Sequence, residues 1–373
     1  MASSPAVTVV YRDRVRGCLL GGAVGDALGA GIEFASLAEI RSSYGPDGVR
    51  GLTPAYGVAA PLTDDTQLTL FTAEGLIRAH VRWREKGISH LPSVLWRAYR
   101  RWLFTQEHNH PPGEPGGWGE PDGWLASQQV LYARRAPGNA CLSGLRQDEQ
   151  GTLEHPANPG SKGCGAVMRS APFGLVRPGL EDTWQMAAEC AVFTHGHPSG
   201  YLAAAAFAWT IGEIVDGRGI ADAARAARAR LPGQDQGAEV RAAMESALDA
   251  AAADTGAPTA DRVESLGAGW TAEEALAIAL YCAAAAAEDP RRALLAAVNH
   301  SGDSDSTGAI CGNLVGAALG DLALPWEWVA ELEGRDLVAQ VSDDLVREYA
   351  HTATVSGPDG WVAPGWFARY PGW

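Results

Sequence analysis

Residues 308–320 read GAICGNLVGAALG, with glycine at every fourth position. Near the other end of the chain, residues 17–29 read GCLLGGAVGDALG and repeat that spacing. A four-residue period places glycine along one face of a helix, where a second backbone can approach closely. Because an interior glycine costs a helix roughly 1 kcal/mol relative to alanine, four in a row indicate that close approach is required. We predict that these two helices lie in the centre of the fold and that both ends of the chain share one core.

Most of the remaining chain has apolar residues at three- and four-residue spacing, which is typical of amphipathic helices. The segments with this pattern are 94–104, 202–215, 219–231, 237–253 and 271–288. In the last of them, Thr271 followed by Glu274 predicts a capping box at the helix start. No convincing series of alternating strands and no βαβ rhythm is visible. The sequence therefore predicts an all-α protein, and the shared core favours a single domain over residues 1–373.

The composition limits the classes of protein to which the chain can belong. It is 46% hydrophobic and 20% charged, which is enough apolar material for a large core. The formal net charge of -15 argues against a general nucleic-acid-binding surface, which would normally be basic. The six cysteines are scattered, no amino-terminal signal is visible, and the longest apolar run, 275–287, is too short to span a bilayer. We therefore expect a soluble, cytoplasmic protein without a membrane partner.

Two irregular segments interrupt the helical pattern. Residues 106–124, QEHNHPPGEPGGWGEPDGW, form a Pro/Gly-rich loop of a length that is typical of functional or mobile loops. We expect Trp118 and Trp124 in this loop to shape specificity. The carboxyl-terminal tail, about residues 355–373, is also irregular, and its three tryptophans are expected to anchor it to the body of the protein.

Two pairs of carboxylates stand directly before helices. Asp64 and Asp65 follow Thr63, and Asp303 and Asp305 precede a helix that we expect to begin near residue 306 or 307. Each pair taken alone is typical of helix capping or of a turn, because such oxygens accept from free N–H groups at a helix start. Taken together, four partly buried carboxylates need cations. Hard oxygen ligands favour Mg²⁺, Mn²⁺ or Ca²⁺ over zinc, so the two pairs predict a two-metal site.

Two further acidic residues lie at the end of the first glycine helix, in the stretch GDALGAGIEF, residues 25–34. Asp26 would be buried along that helix, where a structural role as a hydrogen-bond acceptor is the favoured interpretation. Glu33 follows the helix in a flexible stretch and is a candidate for a mobile acid near the metals.

Five motifs, in this order, resemble the ADP-ribosylglycohydrolase family, the group of the dinitrogenase reductase-activating glycohydrolases. They are RGCLLGGAVGDALGAGIEF, LTDDTQLTL, NPGSKGCGAVMRSAPFGL, FTHGHPSG and NHSGDSDSTGAICGNLVGAALG. The motifs cover about residues 12–325, and their ordered combination is highly specific. The resemblance implies a compact, orthogonal multi-helix bundle with a central binuclear site for two Mg²⁺ or Mn²⁺ ions.

The resemblance also implies roles for single residues. The implied metal ligands are Thr63, Asp64, Asp65, Asp303, Asp305 and Ser306. Asp305 is expected to bridge the ions, and Thr307 is an alternative to Ser306 because the family commonly has threonine there. The implied substrate-binding residues are Glu33, Gly160, Ser161, Gly163 and His195. Backbone N–H groups of a glycine-rich loop can hold a diphosphate without interference from side chains. Glu33, Asp64 and Asp65 remain alternatives for the catalytic acid or base.

The implied activity is hydrolysis of the bond between C1″ of ADP-ribose and an attached group. The stretch SKGCGAVMR resembles the bacterial branch that acts on arginine, so an ADP-ribosylated arginine on a protein is the first choice of substrate. Nucleobase, serine and small-molecule linkages remain open, with ADP-ribose as the product in each case. A non-catalytic ADP-ribose-binding protein and a Mg²⁺-dependent phosphoesterase are the alternatives from other classes. Arg169, in the same stretch, is expected to form an internal ion pair.

Overall fold

A computed structural model describes residues 5–112, 121–176, 182–350 and 365–372. Within these ranges the chain forms seventeen α-helices and four short 3-10 helices. The extended contacts in the same ranges are two isolated bridges, Ala55–Val58 and Gly163–Thr271. The prediction of an all-α fold is confirmed.

All five segments predicted from their apolar spacing are helical. The bounds of the α-helices are α1 (Pro5–Gly29), α2 (Leu37–Tyr44), α3 (Asp64–Lys86), α4 (Leu91–Glu107), α5 (Asn139–Leu145), α6 (Ala171–Leu175), α7 (Thr183–Ala191), α8 (Pro198–Val215), α9 (Ile220–Ala229), α10 (Gln234–Ala253), α11 (Ala260–Leu266), α12 (Ala272–Ala285), α13 (Pro290–Val298), α14 (Ser304–Leu319), α15 (Trp326–Glu331), α16 (Arg335–Ala350) and α17 (Trp366–Arg369). Long connections separate α2 from α3, α4 from α5 and α5 from α6.

The two glycine helices, α1 and α14, pack against each other in an antiparallel arrangement in the centre of the molecule. A Cβ atom added to Gly17, Gly21 or Gly25 would overlap the carbonyl oxygen of a glycine in α14. The overlapped partners, in the same order, are Gly316, Gly312 and Gly308. The backbones therefore touch directly, as the four-residue spacing predicted. Since the helices run in opposite directions, the end of α1 lies beside the start of α14, where Gly29 contacts Ser304 and Asp305.

The other helices surround this central pair. α12 and α13 pack on α14, while α3 and α16 pack on α1. One cluster of buried apolar side chains extends from Val15 near the start of the chain to Tyr370 near its end. Both ends of the described chain thus contribute to a shared core, whereas the single-domain organisation stays a prediction. Among the described helices, none combines the length and the apolar character needed to cross a membrane.

Two local predictions are wrong. Thr271 precedes α12, but its hydroxyl forms no capping hydrogen bond and is buried without a partner. The backbone at this point is positioned by the bridge between Thr271 and Gly163. α14 begins at Ser304 rather than near residue 306 or 307, because Asp303 accepts from the N–H of Ser306 and caps the helix there. Asp305 consequently lies inside the first helical turn.

The carboxyl-terminal segment is anchored to the body through α16. The indole Nε1 of Trp366 donates to Glu348 at 3.1 Å, and the hydroxyl of Tyr370 donates to Asp344 at 2.7 Å. The expected anchoring is confirmed for Trp366. The other two tryptophans of this tail, Trp361 and Trp373, lie outside the described residues. The same is true of Trp118 in the Pro/Gly-rich loop.

The contact between α1 and α14 predicts a large effect of a single methyl group. We expect Gly312→Ala to destabilise the protein by about 1–3 kcal/mol, because the added Cβ overlaps the backbone of Gly21 and Gly22. Gly212→Ala in α8 is the matched control, since its Cβ would meet only Gly174, at 3.5 Å or more. We expect the control to be neutral or stabilising by up to about 1 kcal/mol. Urea unfolding measures the free energy of unfolding of both variants. Equal midpoints for the two variants would contradict the tight packing.

Candidate functional site

Three chain segments bring acidic side chains to one place beside the central helix pair. Glu33 lies just after α1, Asp64 and Asp65 lie in the first turn of α3, and Asp303 and Asp305 lie at the start of α14. These five carboxylates, and Asp26 of α1, are all buried. In the ranges that the structure describes, no arginine or lysine forms a salt bridge with any of the six. We call the five carboxylates without Asp26 the acidic cluster.

The closest group within the acidic cluster consists of Glu33, Asp303 and Asp305. One carboxylate oxygen from each lies within 4.8 Å of the others, and it is the one potential metal-binding group of acidic, histidine or cysteine residues found in the described chain. Oε2 of Glu33 and Oδ1 of Asp65 are buried without any hydrogen-bond partner. Buried anionic oxygens that lack both a donor and a countercharge are costly. The cluster therefore has the hard-oxygen donor set and the unbalanced charge of a divalent-cation site.

Helix capping and clustering of carboxylates occur at the same place in the structure. Thr63 is the N-cap of α3, and its hydroxyl accepts from the N–H of Asp65 at 3.4 Å. Asp303 is the N-cap of α14, and Asp305 accepts from the N–H of Ser306 at 2.9 Å. The positive ends of two helix dipoles thus point at the cluster and offset part of its charge.

Burial and mutual repulsion raise the pKa values of these carboxyl groups. Burial, followed by the charges of Asp303 and Asp64, raises the pKa of Glu33 to about 9. Burial is also the largest cause for Asp64, whose pKa rises to about 8, and for Asp65 and Asp305, whose pKa values rise well above the ordinary range. Bringing these groups together thus favours the protonated forms as long as no cation balances them.

Asp26 holds the start of α3 against α1. Its carboxylate accepts from the N–H groups of Thr63 and Thr66, at 3.0 and 3.2 Å, and from the hydroxyl of Thr66 at 2.5 Å. The interpretation of Asp26 as a structural acceptor is confirmed. Its burial raises its pKa to about 6. Asp64 and Asp65 owe their position to this contact.

The structure distinguishes the two hydroxyl groups at the start of α14. The Thr307 hydroxyl donates within its own helix turn to the carbonyl of Asp303 at 2.9 Å and also lies 2.8 Å from Nε2 of His300. The Ser306 hydroxyl lies instead 3.5 Å from the sulfur of Cys164, which itself donates to Asp303, so it faces the acidic cluster. The geometry favours Ser306 over Thr307 as an additional oxygen ligand.

The glycine-rich loop, residues 158–165, meets the acidic cluster at one end. The Cys164 thiol donates to Asp303 at 2.8 Å, and the N–H of Cys164 donates to the carbonyl of Trp270 at 3.2 Å. Lys162 is held by Glu273 and Glu239, with the Glu239 distance at 2.9 Å. Its charge is therefore balanced by protein carboxylates. A Cβ on Gly160 would meet nothing within 4 Å, so the loop presents open backbone at that position.

His195 lies directly behind this loop. Its Nδ1 is 2.8 Å from the hydroxyl of Thr194, and its Nε2 edge faces Gly163 and Gly165. Burial, and then the charge of Arg169, lowers the pKa of His195 to about 3. The imidazole is thus neutral at physiological pH and faces the backbone of the loop. The structure places Gly163 beside His195, and Ser161 lies in the same loop turn, where its carbonyl accepts from the N–H of His197 at 3.1 Å.

Sequence reasoning missed several residues around the cluster. Cys164 touches Asp303, although its motif was singled out only for its glycines and serine. Tyr56 lies near the cluster, since burial and then Glu33, Asp305 and other carboxylates raise its pKa to about 12. Its backbone has φ +53°, an uncommon value for a non-glycine residue.

An exposed aromatic pair adjoins Glu33. Phe34 stacks on Trp270 with ring centroids 5.5 Å apart, and both rings are exposed. Trp270 also accepts from Cys164, so the pair connects the Glu33 segment with the glycine-rich loop. Large exposed aromatic faces beside an acidic cluster are suited to contact a ligand. A local sequence signal existed only for Phe34, which directly follows Glu33.

The expected ion pair of Arg169 is wrong. Arg169 is fully buried, but no carboxylate in the described part of the chain forms a salt bridge with it. Its guanidinium lies over the ring of Tyr99 at 4.3 Å and donates to Thr194 at 2.8 Å. No acidic residue is adjacent because the surrounding segments bring a thiol, a hydroxyl and a carbonyl to this point.

Comparisons with known proteins agree on one family. Residues 8–354 match the family model described as ADP-ribosylglycohydrolase. The chain is 26% identical over 331 residues to the ADP-ribosyl-[dinitrogen reductase] glycohydrolase of Rhodospirillum rubrum, covering 86% of this chain and 90% of that protein. It is 27% identical to an uncharacterized protein of Archaeoglobus fulgidus, covering 89% and 96% of the two chains. A solved structure described as an ADP-ribosylglycohydrolase-related protein complex superposes with a TM-score of 0.62 at 26% identity, covering 91% of this chain and 99% of that one.

The raised pKa values predict how stability depends on pH in the absence of divalent cations. A carboxyl group with a raised folded-state pKa stabilises the fold at low pH, and that contribution is lost as the pH rises through the folded value. With pKa values of about 6, 8 and 9 for Asp26, Asp64 and Glu33, we expect the melting temperature in EDTA to fall by a few degrees between pH 6 and pH 9. Differential scanning calorimetry at each pH measures the melting temperature. The fall should be smaller for Glu33→Gln, and a melting temperature that rises over this range would contradict the prediction.

Proposed function

The chain belongs to the ADP-ribosylglycohydrolase family, and we propose that it releases ADP-ribose from ADP-ribosylated arginine on a protein with the help of two Mg²⁺ or Mn²⁺ ions. Membership makes the chain a glycosidic hydrolase that acts on ADP-ribosyl groups. The linkage, the target and the metal dependence are the parts that we propose. The observation that carries the metal dependence is the acidic cluster, which is buried, lacks cationic partners in the described chain and contains orphaned oxygens.

The donor set fits hard divalent cations. We propose that the ligands are Thr63, Asp64, Asp65, Asp303, Asp305 and Ser306. Asp305 is the proposed bridging ligand: one of its carboxylate oxygens lies within 4.8 Å of an oxygen of Glu33 and of Asp303, and burial, followed by the charge of Asp65, raises its pKa. All six residues offer oxygen, the preference of Mg²⁺ and Mn²⁺. When bound, such ions would orient the hydroxyls of the distal ribose, polarise a water and stabilise developing charge.

The protein itself supplies orientation on either side of the ribose. Cys164, near the end of the glycine-rich loop, contacts Asp303. A diphosphate on the loop backbone would therefore place the attached ribose over the acidic cluster. Gly160, Ser161, Gly163 and His195 are the proposed contacts of the diphosphate and distal ribose. Holding both parts of the substrate fixes the C1″ carbon relative to the reacting carboxylates, which lowers the entropic barrier.

Proton transfer requires a carboxylate at the scissile bond. Departure of the leaving group from C1″ generates an oxocarbenium-like centre, as in other glycoside cleavages. Among Glu33, Asp64 and Asp65, we favour Glu33 for this role. Oε2 of Glu33 has no hydrogen-bond partner, whereas Oδ2 of Asp64 accepts from the N–H of Gly138 at 3.3 Å. Glu33 also lies outside a helix, so its side chain can adjust to the leaving group.

The choice of arginine as the leaving group rests on two supports. The relative from Rhodospirillum rubrum is described as acting on ADP-ribosylated dinitrogen reductase, which is a protein substrate. The motif SKGCGAVMR resembles the arginine-directed bacterial branch. A guanidinium would also find carboxylates and the ring of Tyr56 beside the cluster. We further propose a cytoplasmic location, which is supported by six cysteines that are all free.

A substitution of the bridging ligand tests the metal dependence. We expect Asp305→Asn to lower kcat for ADP-ribose release by at least about 10³-fold, because the variant removes the anionic ligand shared by both ions. Asp289→Asn is the control, since Asp289 also lies at the start of a helix, where it accepts from the N–H of Arg292, but it is exposed and is not part of the acidic cluster. Addition of Mn²⁺ at about 100 times its Kd should stabilise the native protein by about 2.7 kcal/mol, and Asp305→Asn should lose this gain. Wild-type turnover in EDTA would refute the proposal.

Defined substrates test the linkage. Purified protein is incubated with Mg²⁺ or Mn²⁺ and with peptides ADP-ribosylated on arginine or on serine, and with an ADP-ribosylated nucleobase. We expect free ADP-ribose from the arginine peptide, detected by mass spectrometry, and at least about tenfold slower release from the others. Release from another linkage with an intact arginine peptide would overturn the choice of arginine. Release of phosphate or AMP instead of ADP-ribose would indicate a phosphoesterase.

A further inference from the structure

Arg169 presents an unbalanced charge in the interior. Its side chain is 1% exposed, and it forms no salt bridge with any carboxylate that the structure describes. Its donors reach the Cys141 sulfur at 3.7 Å, the Cys190 carbonyl at 3.3 Å and the Thr194 hydroxyl at 2.8 Å. These contacts satisfy N–H groups but do not neutralise the guanidinium. Since an isolated buried charge is costly, such a residue usually has an anionic partner, either in the protein or in a ligand.

The contacts of Arg169 connect it to the glycine-rich loop in two ways. Cys141, one of its partners, packs against Gly165, whose carbonyl accepts from the thiol at 3.8 Å. Thr194, another partner, lies 2.8 Å from Nδ1 of His195. One side chain, that of Cys141, therefore separates the guanidinium of Arg169 from the backbone of the loop. The other cation there, Lys162, is already balanced by Glu239 and Glu273.

The hydrogen bonds also define the tautomer of His195. Arg169 can only donate, so the Thr194 oxygen accepts from it and keeps its own proton for another acceptor. That acceptor is Nδ1 of His195 at 2.8 Å, since the alternative, the carbonyl of Ala191, is at the longer distance of 3.4 Å. A neutral imidazole that accepts at Nδ1 carries its proton on Nε2. His195 thus directs an N–H toward Gly163 and Gly165.

We propose that Arg169 is a positioning residue for the diphosphate of the substrate, acting through Thr194 to hold His195 as an Nε2–H donor and supplying the positive charge that the diphosphate balances. This inference rests on the proposed function, because the diphosphate is that of the ADP-ribosyl group. It explains why an unpaired guanidinium is kept beside a loop whose own lysine is neutralised.

Two variants and a control test the proposal. Arg169→Met removes the charge, and Thr194→Val removes only the connecting hydroxyl while keeping the side-chain shape. Thr210→Val is the matched control, because Thr210 is also a buried threonine and donates only to the carbonyl of Ala206 in its own helix. Calorimetry measures the Kd of ADP-ribose and of ADP for each folded variant. The stabilisation by Mn²⁺ reports separately on the acidic cluster.

We expect both Kd values to rise by about tenfold or more for Arg169→Met and by a smaller factor for Thr194→Val, in line with the loss of charge-assisted hydrogen bonds. Stabilisation by Mn²⁺ should be unchanged in both. In ¹⁵N spectra of the imidazole, the native protein should show the Nε2–H tautomer alone, and Thr194→Val should show a mixture. Thr194→Val and its spectrum decide the question if Arg169→Met does not fold.

Native Kd values in Thr194→Val together with an unchanged tautomer would overturn the inference. So would an affinity for ADP in Arg169→Met equal to that of the control. The failure of the proposed function has a different signature. If no ADP-ribosyl linkage is cleaved but ADP still binds in an Arg169-dependent way, the hydrolase proposal fails and the role of Arg169 as an anion-positioning residue stands.

Discussion

Direct contact between the backbones of α1 and α14 is the constraint on which the other features depend. Glycine on both helices removes the side chains that would keep them apart, and dispersion forces between the backbones then act at short range. Because the pair is antiparallel, it joins the end of α1 to the start of α14. Residues 33 and 303, which are far apart in the sequence, become neighbours through this contact. The acidic cluster is therefore a product of helix packing rather than of a local motif.

The two sides of the site have opposite electrostatic character. On one side, five carboxylates lie buried at the ends of helices without cationic partners in the described chain, and Asp26 fixes the start of α3 in place. On the other side, a neutral histidine and an unpaired guanidinium lie behind the glycine-rich loop. An ADP-ribosyl group carries a negatively charged diphosphate and an uncharged ribose whose hydroxyls are suited to metal coordination. The proposed placement of the diphosphate at the loop and of the ribose, through cations, at the acidic cluster follows this division of charge.

The sequence predicted those features that depend on local periodicity or local chemistry. A four-residue glycine repeat defines a helix face, and Asp or Thr before an apolar helix is a local signal, so α1, α3 and α14 were identified with their acidic residues. The position of Cys164 beside Asp303, 139 residues away, depends on the path of the whole chain. The capping box at Thr271 was wrong for the same reason, since a bridge to the distant Gly163 positions the backbone there and the hydroxyl forms no hydrogen bond. The predicted ion pair of Arg169 was wrong because residue type alone does not specify which neighbours the fold supplies.

The interlocked glycines also restrict how α1 can move along α14. A shift of α1 by one residue, about 1.5 Å, would at most positions bring a larger side chain, such as that of Leu20 or Val24, opposite a backbone that has room only for hydrogen. The next arrangement that restores glycine opposite glycine lies a full repeat away, about 6 Å along the axis. Sliding is thus discrete rather than gradual. The offset between residues 33 and 303 is therefore fixed by the backbone contact and does not depend on the side chains of the acidic cluster.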